Sequence, residues 1–298
     1  MLEATRSMRH KPKPTTNQII SGFLRLIRWP NLLILAITQY LVYACLIHPE
    51  TAWYEGFLDK HLFWLIFSTT CIAAAGYIIN DYYDIKIDLI NKPDQVIIGR
   101  YLKRRVAMGI NLFLNFLGIV AGGLVDKKVF VINTCAFFFL WIYSNHLKRL
   151  PFWGNLMVAF LTALSLIILA VHYQINEREV YIYALFAFTI SLIREIIKDM
   201  EDVKGDASFG CQTLPIRWGL VRTKYFLLGL ITLFLITLFS MTKPLHAPTL
   251  AYIFMVISIP ILFVAYRLFY ADTKQDFSFL SSLCKYIMMA GVLTMLLV

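Results

Sequence analysis

The chain has 298 residues, 59% of them hydrophobic and 15% charged, with mean hydropathy +0.67 and a formal net charge of +10. Soluble domains hold roughly 45–50% apolar residues; here the apolar residues fall in uninterrupted runs without the 3.6 period of a helix with one wet face, which excludes a water-soluble fold. The basic excess is split among short segments between those runs, so it points to anionic lipid headgroups and phosphorylated substrates and away from nucleic acid.

Residues 1–30 form a polar, basic arm that leads into a run too long for a cleaved signal core, so no secretory signal is expected. Residues 31–298 read as a single transmembrane domain. A helix needs about 20 apolar residues to cross the hydrocarbon core. Runs of that kind lie near 31–48, 62–80, 107–125, 128–145, 154–172, 179–197, 223–242, 248–268 and 279–298, which predicts an all-α bundle of about nine spans. Trp29-Pro30, Pro151 and Lys243-Pro244 mark helix starts and stops.

Lys and Arg concentrate in the arm (Arg6, Arg9, Lys11, Lys13, Arg25, Arg28), in 81–106 (Lys86, Lys92, Arg100, Lys103, Arg104, Arg105) and in 198–222 with Lys224 beyond it (Lys198, Lys204, Arg217, Arg222). The loops that fall on the opposite side hold only Lys60, Lys127, Lys128, Arg178 and Lys243. The positive-inside rule then puts the N-terminus and both long acidic loops in the cytosol, in a cell membrane. Cys45, Cys71, Cys135, Cys211 and Cys284 lie far apart without a CxxC pair, and the six histidines are scattered, so neither disulfides nor zinc are expected.

The two long segments carry the chemistry. Asp81, Asp84 and Asp88 follow the second span, and Asp199, Asp202 and Asp206 follow the sixth; both clusters spell D-x-x-D-x-x-x-D. If the helix continues, spacings of three and four put each trio on one face. Three carboxylates on one face repel unless a cation sits between them, and Mg²⁺ uses such hard oxygens when it also bridges phosphates. The plainer alternative is solvated charges paired with Lys86, Lys198 and Lys204. Two copies of one spacing at corresponding span ends weigh against it. Arg194 and Glu195 lie inside span six, where ionisable groups are expensive and tend to be functional.

These clusters on a nine-span scaffold resemble the UbiA superfamily of intramembrane prenyltransferases. The resemblance includes Asn80 to Asp88, Asp199 to Asp206, Tyr143-Ser144 through Leu147-Lys148-Arg149 to Gly154-Asn155, and Thr213-Leu214-Pro215 with Gly219. It implies a helical bundle that transfers an isoprenyl group from its diphosphate to a lipophilic acceptor with Mg²⁺. Neutralising the leaving diphosphate calls for metal ions plus Lys or Arg. Asn80, Asp81, Asp84, Asp88, Asp199, Asp202 and Asp206 are then the candidate metal ligands, with Asn80, Asp84, Asp199 and Asp202 nearest the membrane. Lys92, Lys148, Arg149, Arg194 and Lys198 are candidates for the diphosphate, and Tyr143 is one of several aromatics available to a carbocation. Asp84, Asp202 and Lys148 are expected to carry catalysis.

Residues 194–206 with Thr213-Leu214-Pro215 look most like the branch that prenylates geranylgeranylglyceryl phosphate in ether-lipid synthesis. An aromatic acceptor in quinone synthesis is the alternative within the family. A cation-coupled transporter is the alternative outside it, and that reading would want its acids in mid-span. One departure stands out: Gln95-Val96 follow Asn91-Lys92-Pro93-Asp94 where the family often has Arg-Pro, so Arg100 or Lys103 is expected to compensate. Lys285, alone inside the last span, is expected to snorkel or to pair with Asp276, and His146 and His172 read as interfacial. No protein partner is expected.

Overall fold

The computed structural model describes residues 15–242 and 248–297. The arm residues Arg6, Arg9, Lys11 and Lys13 and the Lys243-Pro244 turn lie outside them. Helix α1 (Thr16–Leu26) is started by a capping box, in which the Thr15 side chain accepts from Gln18 N and the Gln18 side chain accepts from Thr15 N. Its Leu26 is buried against Ile78, Ile97, Ile98 and Ala107, so this helix is folded onto the bundle. The chain then breaks at Arg28, a non-glycine residue in the left-handed region (φ 52°), before Pro30 opens α2 (Trp29–Leu41).

The remaining long helices are α3 (Lys60–Asn91), α4 (Arg104–Val125), α5 (Lys127–Asn145), α6 (Trp153–Tyr173), α7 (Arg178–Ser208), then a short α8 (Leu214–Trp218), α9 (Leu220–Thr242), α10 (Pro248–Tyr270) and α11 (Lys274–Leu293). Among the described residues, eight helices, with α2 extended by π-helical turns over Val42–Ile47, are long and apolar enough to span a bilayer; α10 is the further one, apolar over Met255–Tyr270. The apolar runs therefore fall where the sequence puts them. Helix α3 packs on α2, α4, α5 and α7, while α7 packs on α6, α9 and α11.

Polar groups inside the bundle are tied off in pairs, as a lipid environment demands. Gln39 Nε2 donates to the Ser165 carbonyl (2.7 Å), and Thr69 Oγ1 donates to Gln39 Oε1 (2.7 Å), stitching α2, α3 and α6. Asn111 Nδ2 donates to the Ala75 carbonyl (2.7 Å) and Asn133 Nδ2 reaches Ser68 Oγ (3.0 Å). Each net bond of this kind contributes about 1 kcal/mol.

One expectation needs correcting. The acids are not on loops: α3 runs on to Asn91 and α7 to Ser208, each well past the apolar run that predicts it. The reason is tertiary. The polar extensions of the two helices meet and bond each other, so their backbones stay helical where an isolated chain would be free to turn into water.

Candidate active site

Because both extensions are helical, the three-and-four spacing turns each trio of aspartates the same way. Asp81, Asp84 and Asp88 from α3 and Asp199, Asp202 and Asp206 from α7 all line one cavity of about 630 Å³, with Asn80, Asn91 and Asn155 between them. Asn91 fastens the two helices at this point. Its Nδ2 donates to the Asp202 carbonyl (3.1 Å), and its Oδ1 accepts from Gly205 N (2.9 Å). A Cβ at position 205 would sit 2.4 Å from the Asn91 amide, so this close approach requires glycine.

The carboxylates are met by bases from other elements, not by the neighbouring lysines of the plainer alternative. Lys148 Nζ, from the turn after α5, lies 2.5 Å from Asp84 Oδ1, with both side chains largely buried. Lys92 Nζ lies 2.9 Å from Asp202 Oδ2 and 3.8 Å from Glu201. Arg28 reaches Asp81 at 2.9 Å while its guanidinium lies over the Tyr77 ring at 4.8 Å, contacts that hold the left-handed backbone at that position. Lys86 and Lys204 point to solvent. Burial alone would push the Lys92 ammonium down, but the adjoining Asp202 and Glu201 carboxylates outweigh it and leave its pKa above the usual lysine value.

Asn155 Nδ2 donates to Asp199 Oδ2 (2.8 Å), and Glu195 takes Arg194 at 2.6 Å and Lys198 at 3.8 Å. Asp202 Oδ1 is buried with no hydrogen-bond partner. Among the described residues no three acidic, histidine or cysteine side chains are grouped to hold an ion as they stand. The donor set nonetheless fits a hard cation: six carboxylates and three amides on one cavity wall, with a buried carboxylate oxygen unsatisfied.

A second, apolar cavity of about 310 Å³ lies deeper, between α2, α3, α5, α6, α7 and α11, lined by residues such as Leu35, Ile72, Leu140, Leu161, Phe186 and Met288. The two share Arg28, Asn31, Asn80, Tyr143, Arg194, Glu195, Lys198 and Lys285. These form a polar throat that joins the acidic cavity to the apolar one.

Of the residues singled out from sequence, the acids, Asn80, Lys92, Lys148, Tyr143, Arg194 and Lys198 come together here, and Arg149 does not. The Arg149 side chain is exposed, and its carbonyl accepts from Gln212 N (2.8 Å), joining the turn after α5 to the segment after α7. Gln95 lines the cavity, but Arg100 and Lys103 do not; Arg100 lies over Tyr101, and the bases on the wall are Arg25, Arg28, Lys92, Lys148, Arg194, Lys198 and Lys285. Lys285 does not pair with Asp276, which accepts from Thr273 at the start of α11; its Nζ bonds Asn31 Oδ1 at 2.7 Å. Sequence reasoning gave no role to Asn31, Asn91 or Asn155, although Asn91 and Asn155 lie within the family segments quoted above.

The family model described as UbiA prenyltransferase matches residues 35–286. The chain belongs to the UbiA prenyltransferase family. A digeranylgeranylglyceryl phosphate synthase from Thermococcus sibiricus is 37% identical over 145 residues, covering 49% of this chain and 52% of that protein, so the chain spans about half the length of that curated relative. A solved digeranylgeranylglyceryl phosphate synthase structure superposes with a TM-score of 0.71 at 26% identity, covering 94% of this chain and 98% of the other. A UbiA homologue from Archaeoglobus fulgidus, solved with dimethylallyl diphosphate and Mg²⁺, gives a TM-score of 0.64 at 17% identity over 91% of this chain and 99% of the other. UbiA membership accounts for the helical fold and makes this an integral membrane protein.

Proposed function

We propose that this UbiA protein transfers a geranylgeranyl group from its diphosphate to geranylgeranylglyceryl phosphate, in ether-lipid synthesis. The observation that carries the reading is the continuous two-part cavity, six aspartates at one end and an apolar chamber at the other, joined by a basic throat. Relatives named for that synthase, and the Archaeoglobus homologue solved with a prenyl diphosphate and Mg²⁺, support it.

Asp84, Asp199 and Asp202, with Asn80 and the outer acids Asp81, Asp88 and Asp206, would hold Mg²⁺. The bound metal supplies Lewis-acid neutralisation of the leaving diphosphate. Lys148 and Lys92 stand against the same carboxylates and exchange them for diphosphate oxygens when substrate enters, which keeps each ammonium paired throughout. Lys198 and Arg194 extend positive charge toward the throat, where the breaking C–O bond would lie. Tyr143 presents its ring there, and the apolar chamber keeps water from the allylic cation. The distribution of Lys and Arg supports an acidic end that faces the cytosol of a cell membrane.

The acids sit where α3 and α7 leave the apolar core, not at mid-span breaks, which argues against a cation-coupled transporter. Membranes containing the protein, given radiolabelled geranylgeranyl diphosphate and Mg²⁺ with a panel of acceptors, should label geranylgeranylglyceryl phosphate. Label appearing only on an aromatic acid would sink the acceptor assignment.

A further inference from the structure

Lys285 is a charge inside an apolar helix, between the buried Cys284 and Ile287 of α11. Such a charge is expensive in a span and tends to mark a ligand path. Its Nζ bonds a neutral group, Asn31 Oδ1 (2.7 Å), and among the described residues it forms no ion pair with a carboxylate. Asn31 is itself oriented, since its Nδ2 donates to Tyr77 OH (3.5 Å), which leaves the carbonyl oxygen for the lysine.

The surroundings are similarly unbalanced. Arg28, Arg194, Lys198 and Lys285 all line the throat. Asp81 answers Arg28, and Glu195 alone answers both Arg194 and Lys198. Of these four cations, three share direct ion pairs with two carboxylates, and Lys285 has none among the described residues. Lys92, Lys148 and Arg28 meet Asp202, Asp84 and Asp81 directly, whereas Lys285 has no carboxylate to give up when a second anion arrives.

We propose that Lys285, with Asn31 and Arg28, forms an anion subsite at the throat that takes the phosphate monoester of the acceptor, while the acceptor's single geranylgeranyl chain occupies the apolar chamber. The subsite rests on the acceptor class assigned above, and it makes the phosphate, not the hydrocarbon, the feature that selects the acceptor.

Binding to the full-length protein in lipid nanodiscs, without donor, tests it with geranylgeranylglyceryl phosphate and the same molecule lacking phosphate. The wild type should bind the phosphorylated form at least about tenfold more tightly, the size of a charge-assisted hydrogen bond. Lys285→Met should bring the two Kd values close together, and Lys285→Arg should restore most of the difference. Geranylgeranyl diphosphate binding should stay within about twofold in both variants. A wild type indifferent to the phosphate, a Lys285→Met variant that keeps the preference, or a loss that falls equally on donor and acceptor would overturn the subsite. If Lys285→Met does not fold, Asn31→Asp gives the lysine an internal carboxylate and should abolish the preference; retention of it would count against the proposal. A wild type that binds the phosphate acceptor selectively yet transfers no label to it would sink the reaction and leave the subsite standing.

Discussion

At the scale of single residues, three of the cavity's six aspartates are met by a base, Asp81 by Arg28, Asp84 by Lys148 and Asp202 by Lys92. Removing one member of a largely buried pair strands the other, so Asp84→Ala leaves the Lys148 ammonium uncompensated and Asp202→Ala leaves Lys92 only the more distant Glu201 at 3.8 Å. Each substitution should lower label transfer by on the order of a hundredfold or more while the protein still inserts. Undiminished transfer in both would reject the assigned roles. Gly205→Ala tests the clamp between the two acidic helices. The added methyl must displace Asn91, an overpacking strain of about 1–3 kcal/mol, and should lower both the Tm in detergent and the turnover. The aspartates were legible because one spacing occurs twice, and Lys148 because it sits in a family motif. Asn91, Asn155 and Lys285 were not, because what they do depends on partners 44 to 254 positions away in the chain.

At the scale of elements, the apolar runs mark every long helix, since lipid requires about twenty consecutive apolar residues and tolerates few exceptions. Where each helix stops is a different matter. The polar ends of α3 and α7 look like loops in sequence because hydropathy falls there, and they are helical because each supports the other across Asn91. The opposite end of α3 shows a similar dependence. Asp59 caps it, accepting from His61 N (2.7 Å) and Leu62 N (3.2 Å), and takes a further bond from Tyr173 OH (2.7 Å) at the end of α6. Burial would push the Asp59 carboxyl up, but the bond from Tyr173 and those backbone amides outweigh it and leave its pKa below the ordinary value. A carboxyl lowered by folding stabilises the folded state above its unfolded pKa, and that contribution disappears as pH falls through the folded value. Tyr173→Phe should therefore reduce Tm at neutral pH, and the gap from wild type should close below about pH 4. A gap independent of pH would assign the tyrosine to packing alone.

At the scale of the whole molecule, the bundle brings together two media that do not mix: a polar basin at one end and a hydrocarbon chamber inside. Chelation of divalent ions should abolish label transfer, and added Mg²⁺ should restore it; turnover that persists in excess EDTA would remove the metal from the mechanism. The chamber presents only apolar surface, which many lipid chains match, so discrimination among acceptors falls to the charged throat.

The chamber also bears on how the protein is handled at the bench. A cavity walled by leucine, isoleucine and phenylalanine and open toward a basic throat is a place where a detergent's alkyl tail can lodge with its head among the arginines and lysines. The surfactant that extracts the protein would then act as a competitive inhibitor, most strongly when it is anionic and long-chained. Apparent affinity for the prenyl substrates should rise on transfer to nanodiscs, with no residue changed.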